Sequence, residues 1–203
     1  MADAAFRVRI HGREGHGATT AAHLLAAAAR REGRQAQAVR CFARERDGGP
    51  VTAFCCIGAE RSSALYVEAD ALVIENAVLL RLPHVLHGLA AEGFLVVNAR
   101  SSEHLGLGEL ALRLPPGHIV TVPATDLARA HRGRPNAALV GALAAVTGAV
   151  SLPALTAAIE ERFPGETGGG NVATATRAYQ DLQQLWSGST GRRAPDRARH
   201  GAP

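Results

Sequence analysis

The stretch Ile10–Arg30, IHGREGHGATTAAHLLAAAAR, decides how the chain is read. It ends a short apolar strand, passes Gly12, Gly15 and Gly17, and opens an alanine-rich helix near Ala18. Glycines allow positive φ and close backbone approach. The helix start turns free N–H groups and a positive dipole end toward the turn. Thr19 and Thr20 add hydroxyl donors, and Arg13 adds charge. Such a turn suits an anion, yet the same residues suit a tight strand-to-helix crossing that binds nothing. The spacing G-x-x-G-x-G reverses the dinucleotide fingerprint G-x-G-x-x-G. The next strand candidate offers Arg40 near its end, where a nicotinamide site wants an acid on the ribose. Arg40 would instead accept a 2′-phosphate, which keeps an NADP reading open.

Outward from the turn, strand candidates are 6–10, 35–41, 51–57, 70–75, 94–98 and 118–122. Several are continuously apolar, as in a sheet covered on both faces. Helix candidates lie at 18–32, about 78–91 and 125–131. The alternation predicts an α/β fold: three layers, α/β/α, around a mostly parallel, Rossmann-like sheet. The second and third candidates leave no room for a helix between them, so that pair is expected to be antiparallel and the sheet mixed. Beyond residue 123 the chain reads as helical. Pro135 and Gly148 bracket one helix, Ser151 caps the next with Pro153 in its first turn, and 171–186 forms the last. One domain over 1–187 is expected, strand-rich to 123 and helical from 124. An Arg-rich disordered tail is expected over 188–203.

Composition narrows the function. The chain has 203 residues; 47% are hydrophobic but only 4% aromatic, so Ala, Leu and Val must build the core. The net charge of +4 suggests nucleic acid until it is located. The tail GSTGRRAPDRARHGAP holds four Arg and one Asp, leaving 18 basic and 17 acidic side chains elsewhere. That near-neutral body has no stripe to track phosphates, so no nucleic-acid partner is expected. The opening MADAAFRVRI is broken by Asp3, Arg7 and Arg9, and no apolar run nears the roughly 20 residues of a membrane helix. No membrane partner and a cytoplasmic location are expected. Every basic side chain apart from histidine is Arg. With no Lys, a Schiff-base lysine and a Walker-type lysine are both excluded. Cys41, Cys55 and Cys56 form no C-x-x-C and no set of four, so iron–sulfur or structural zinc ligation by this chain alone is not expected, and no metal ligand is assigned. Cys55 and Cys56 read as buried, reduced thiols on opposite faces of one strand.

A second stretch, CFARERDGGPVTAF (41–54), sets Arg44, Glu45, Arg46 and Asp47 before Gly48, Gly49 and Pro50. If strands one and two run parallel, their ends share one sheet edge, and this charged loop faces the glycine turn.

At these two stretches the sequence resembles the gamma subunit of the 2-oxoacid:ferredoxin oxidoreductases. GREGHGATTAAHLLAAAA resembles the Gly-Arg-Gly-Gly-Gln-Gly turn and helix that open that subunit. FARERDGGPVTAF is similar to the family's Phe-Gly-Pro-Glu-Arg-Arg-Gly-(Gly/Ala)-Pro-Val segment. The likeness runs on through DALVIEN, GFLVVNAR, VPATDLA and RPNAALVGALAAVTGAVSLPALTAAIEERF, covering roughly residues 6–180. Pro50 and VTAF after the double glycine favour the pyruvate and branched-chain 2-oxoacid branches. Glu14 and His16 stand where the family has Gly and Gln; Ala43, Arg44 and Asp47 also depart from its pattern.

The resemblance implies an accessory subunit of a cytoplasmic hetero-oligomer. Such complexes oxidatively decarboxylate a 2-oxoacid on thiamine diphosphate, pass electrons through iron–sulfur clusters to ferredoxin, and transfer the acyl group to coenzyme A. It implies that thiamine diphosphate, magnesium and the clusters sit on alpha, beta and ferredoxin-like delta partners. It implies a role here in binding coenzyme A, with Gly12, Arg13, Gly15, His16, Gly17, Thr19, Glu45, Arg46, Gly48 and Gly49 as the binding set and no catalytic residue. Two other readings remain at this stage: an independent NADP- or flavin-binding oxidoreductase, and a scaffold with an empty turn.

Overall fold

The computed structural model describes residues 5–41, 50–58, 68–82, 84–103, 105–108 and 113–190. Six strands form one sheet in the order β2-β3-β1-β4-β5-β6. They are β1 (Phe6–Arg13), β2 (Ala36–Cys41), β3 (Pro50–Ile57), β4 (Ala69–Ile74), β5 (Leu89–Asn98) and β6 (Ile119–Val122). Helix α1 (Ala18–Arg31) joins β1 to β2. After β6 come α2 (Ala124–His131), α3 (Pro135–Thr147), α4 (Leu152–Arg162) and α5 (Glu166–Thr190). The neighbours β1–β4, β4–β5 and β5–β6 are parallel. β3 runs against both β2 and β1, which fulfils the expected antiparallel pair and inserts β3 between the two strands.

Alternation along each strand divides the core in two. Val8, Ile10, Cys55, Val73, Val96 and Val120 pack beneath α1, α3, α4 and α5. Leu72, Ile74, Leu95 and Val97 face the other way, under Leu79, Val85 and Leu114. Among the described residues the third layer is built from a 3-10 turn (Ala77–Arg81) and mostly irregular segments.

The helix expected at about 78–91 is not formed. Asn76 caps only the 3-10 turn, accepting from the Val78 N–H, and Leu82 is extended at φ −83, ψ 122. Leu82 precedes a proline, whose ring disfavours the α region at that residue and which has no N–H to continue a helix. The chain then turns through Gly88 and enters β5 at Leu89, five residues before the expected start. The last helix also begins early, at Glu166. Gly168–Gly170, ahead of the expected start at 171, lie inside α5. A Cβ at Gly170 would sit 2.5 Å from the Arg132 carbonyl oxygen, so this helix can cross the end of α2 only with glycine there. α5 runs on through Thr190, three residues into the stretch read as tail, while 191–203 lie outside the described residues. Ser151 caps α4, accepting from the Ala154 N–H. No helix among the described residues is long and apolar enough to cross a membrane.

Candidate functional site

The connection β1–α1–β2 lies on the helical face, while the connections β4–β5 and β5–β6 lie on the other. The chain therefore switches faces between β1 and β4, and in open α/β sheets a crevice forms at the carboxyl edge of such a point. A cleft of about 890 Å³ occupies this place. Its lining comes from the glycine turn (Gly15, His16), the ends of β4 and β5 (Glu75, Asn98), and α2 with the start of α3 (Thr125, Asp126, Arg129, Arg134).

The expected residues divide into those that build the cleft and those that line it. Gly12 is buried, and a Cβ there would overlap the Glu75 carboxyl and press on Ala18. Gly17 starts α1 at φ 112, a conformation glycine adopts without strain. A Cβ on Gly17 would meet Asn136 Nδ2 at 2.6 Å. Gly15, at φ 77, has open space around it, and with His16 it borders the cleft. The turn closes through a hydrogen bond from the His16 N–H to the Arg13 carbonyl. α1 has no acid in its first turn and no side-chain cap, so its positive end stays uncompensated by either. Arg13 is exposed, and Thr19 is half-buried on α1; neither lines the cleft.

Arg44, Glu45, Arg46, Asp47, Gly48 and Gly49 lie outside the described residues, as does the Arg40 side chain. The loop's anchors are described. Cys41 pairs with Thr52, and Pro50 stands opposite Arg13. The loop thus leaves and re-enters the sheet at the carboxyl edge, beside the glycine turn.

Sequence reasoning missed the far wall. Arg100 donates to Asp126 through Nε at 2.8 Å and Nη2 at 3.1 Å. That bonding holds the Asp126 carboxyl below the usual carboxylate range. Arg129 and Arg134 add two further cations, so the rim is net positive. Asn136, buried at the start of α3, donates from Nδ2 to the Gly17 carbonyl at 3.2 Å and ties the two walls together. Asn171 accepts from the Arg134 N–H at 2.8 Å. Asn98 donates to the Glu75 carbonyl and to Thr125 Oγ1, both at 3.0 Å. The available signal was the polar run in VVNAR and GRPN, which sequence alone could not bring together.

Two buried ionisable groups flank this edge. Glu75 is 8% exposed, neither carboxyl oxygen has a hydrogen-bond partner among the described residues, and burial pushes its pKa up to about 8. His11, 3% exposed, is held down at about 3 by burial and then by the charges of Arg9 and His84. His11 Nε2 accepts from Arg9 Nε at 3.1 Å, which places the ring proton on Nδ1 toward Thr52 Oγ1.

These features define an α/β domain with an anion-suited cleft at the switch point of its sheet. Residues 7–181 match the pyruvate ferredoxin/flavodoxin oxidoreductase family. The chain is 40% identical over 180 residues to the pyruvate/ketoisovalerate oxidoreductases common subunit gamma of Pyrococcus furiosus, covering 87% of this chain and 96% of that one. It is 37% identical over 183 residues to pyruvate synthase subunit PorC of Methanothermobacter thermautotrophicus, covering 88% and 96%. The crystal structure of the pyruvate oxidoreductase subunit PORC from Thermotoga maritima aligns with a TM-score of 0.72 at 34% identity, covering 87% and 96%. The 2-oxoglutarate:ferredoxin oxidoreductase from Magnetococcus marinus, solved with 2-oxoglutarate, coenzyme A and succinyl-CoA bound, aligns with a TM-score of 0.68 over 89% of this chain and 31% of that one. At 16% identity it shows the shared fold alone. The chain belongs to the pyruvate ferredoxin/flavodoxin oxidoreductase family, as a gamma subunit of the 2-oxoacid:ferredoxin oxidoreductases. It is therefore one component of a multi-subunit oxidoreductase rather than an independent NADP- or flavin-binding enzyme.

Proposed function

We propose that this subunit binds coenzyme A while its partners oxidise a 2-oxoacid, pyruvate or a branched-chain homologue. The names of the relatives support that substrate class. Coenzyme A supplies the thiol that accepts the acyl group. The residues here hold and orient its phosphates. The Gly15–His16 turn lets the backbone approach, the start of α1 adds a positive end, and Arg100, Arg129 and Arg134 supply charge-assisted donors. The cleft volume of about 890 Å³ falls in the range of small-molecule sites. Thiamine diphosphate, magnesium and the clusters are assigned to alpha, beta and ferredoxin-like delta subunits, with ferredoxin as electron acceptor, and this subunit packs beside the thiamine site. Among the described residues no group of three or more His, Cys, Asp or Glu suits a metal ion. Burial pushes the Cys55 thiol up to about 12, which disfavours the thiolate that a cluster needs.

The observation that carries the reading is a cleft at the switch point, rimmed by arginines and floored by the glycine turn. The test is acyl-CoA formation against coenzyme A concentration in the reconstituted complex. Arg134→Ala and Arg46→Ala should each raise the apparent Kd about tenfold or more, with assembly intact, because one charge-assisted contact is worth roughly 1.5–3 kcal/mol. Unchanged coenzyme A dependence in both variants, with normal assembly, overturns the reading. Loss of assembly in Arg46→Ala would instead make that loop an interface and support a scaffold.

A further inference from the structure

The segment joining α2 to α3 is more tightly determined than a surface connection needs to be. α2 ends on Arg132 at φ 56 and ψ 28, the one non-glycine with positive φ among the described residues, where helices usually place glycine. The next residue has no room for a side chain: a Cβ at Gly133 would overlap Thr174 Oγ1 and sit 2.6 Å from the Gly170 carbonyl oxygen. Arg134 is then extended at φ −116 and ψ 145, the region that the following Pro135 favours. Its carbonyl accepts from the Ala137 N–H at 3.0 Å, and its N–H donates to Asn171 Oδ1 at 2.8 Å. Asn171 is 2% exposed, reaches across from α5 and does not line the cleft. Backbone strain that the surroundings hold in place is a mark of ligand sites.

This bracing serves the cation that Arg134 brings to the cleft. Of the arginines that border it, Arg100 is bonded twice to Asp126, and Arg129 lies 3.9 Å from the same carboxylate. Arg134 has no carboxylate partner among the described residues, so its donors are the ones open to a ligand anion. A guanidinium is a rigid fork on a long, rotatable stem, and presenting it from a fixed backbone lowers the ordering that binding must impose. We infer that Asn171 is a positioning residue for the coenzyme A site: it fixes the backbone of Arg134 so that the guanidinium meets a phosphate of the ligand. This rests on the cleft being that site, and it extends the site to a residue of α5 that the ligand does not touch. What matters at position 171 is the acceptor rather than the bulk, because Oδ1 is the atom that holds the Arg134 N–H.

The test is calorimetric titration of coenzyme A and of adenosine 3′,5′-bisphosphate into the assembled complex at fixed ionic strength. Arg134→Ala should weaken the Kd about tenfold. Asn171→Leu removes the acceptor at similar volume and should weaken it about fivefold, because the guanidinium is kept but no longer held in place. Asn171→Asp restores an acceptor and should bind within about twofold of wild type. In the Arg134→Ala background, Asn171→Leu should add less than about twofold, which a general loosening of the fold would not reproduce. Wild-type affinity in Asn171→Leu, an equal loss with and without Arg134, or Asn171→Asp as weak as Asn171→Leu overturns the inference. If Arg134→Ala is weakened in those same titrations, the coenzyme A reading survives that failure. Arg134→Ala binding like wild type also overturns the inference, and leaves that reading to the Arg46→Ala titration. No binding of either probe by wild type overturns both. Should Asn171→Leu not assemble, amide exchange in the wild-type complex decides: coenzyme A should slow exchange of the Arg134 N–H, and an unchanged rate overturns the inference by itself.

Discussion

The two faces of the sheet are built by different means. On the helical face, α3 is buried on almost every side, from Asn136 to Thr147, and the core beneath it is nearly all Ala, Val, Leu and Ile. On the other face the described residues that lie over Leu72, Ile74, Leu95 and Val97 are a short 3-10 turn and mostly irregular segments, and polar bonds supplement the packing. Arg9 is buried there, donating to the carbonyls of Val85, at 3.2 Å, and His87. Helices satisfy their own backbone groups, so a helical layer needs only apolar contact. An irregular layer leaves carbonyls that side chains must satisfy. The difference explains why ionisable groups are buried here at all, and it gives each face its own weakness.

The largest test is in packing. Leu143→Ala, deep in the helical face, should destabilise the full-length subunit by about 2–5 kcal/mol, while Leu114→Ala on the irregular face should cost less because that layer can relax. Chemical denaturation of both variants would measure this, and equal losses would break the contrast.

Next comes pH. His11 has a folded pKa of about 3, below its ordinary 6.5, so it stabilises the fold above pH 6.5 and that contribution is lost as pH falls toward 3. Glu75 has a folded pKa of about 8, above its ordinary 4.5, so its contribution is present below pH 4.5 and is lost as pH rises to 8. Each limb should be worth on the order of 2–4 kcal/mol. Unfolding curves across this range should lose the acid limb in His11→Gln and the alkaline limb in Glu75→Gln. A limb that persists in its variant means another group carries it.

Smaller losses probe single contacts. Arg9→Met leaves the Val85 and His87 carbonyls without this donor and should cost roughly 1–3 kcal/mol. It should also raise the His11 pKa by removing a neighbouring charge, and amide exchange should quicken around residues 84–88. Gly17→Ala should cost roughly 1–3 kcal/mol through strain at φ 112 and contact with Asn136, measurable as a lower Tm. Arg100→Ala should leave the Tm unchanged, because its pair with Asp126 is open to solvent. A marked drop would show that the cleft wall needs this pair to fold.

By itself the sequence determined what local rules can carry. Hydrophobic period, flanking glycines and prolines and the cap at Ser151 located all six strands and the helices α1 to α4, and the glycine turn and charged loop led to the family. Local rules failed where distant partners decide. Residues 78–91 read as helical, but the proline and the pairing of Leu89 with Ala69 make them turn and strand. The last helix reads as starting at 171, but it begins at Glu166, with Gly170 packed against the Arg132 carbonyl. For the site, the sequence supplied Gly12, Gly15, His16 and Gly17 but not Glu75, Asn98, Arg100 or Arg134. These lie on three other segments and share a cleft only because the strand order brings their ends together. Burial was the last thing to be decided. Glu75 is an ordinary carboxyl in the string VIEN, and only the closing of β1 and α1 over it removes its water, its partners and its charge at neutral pH.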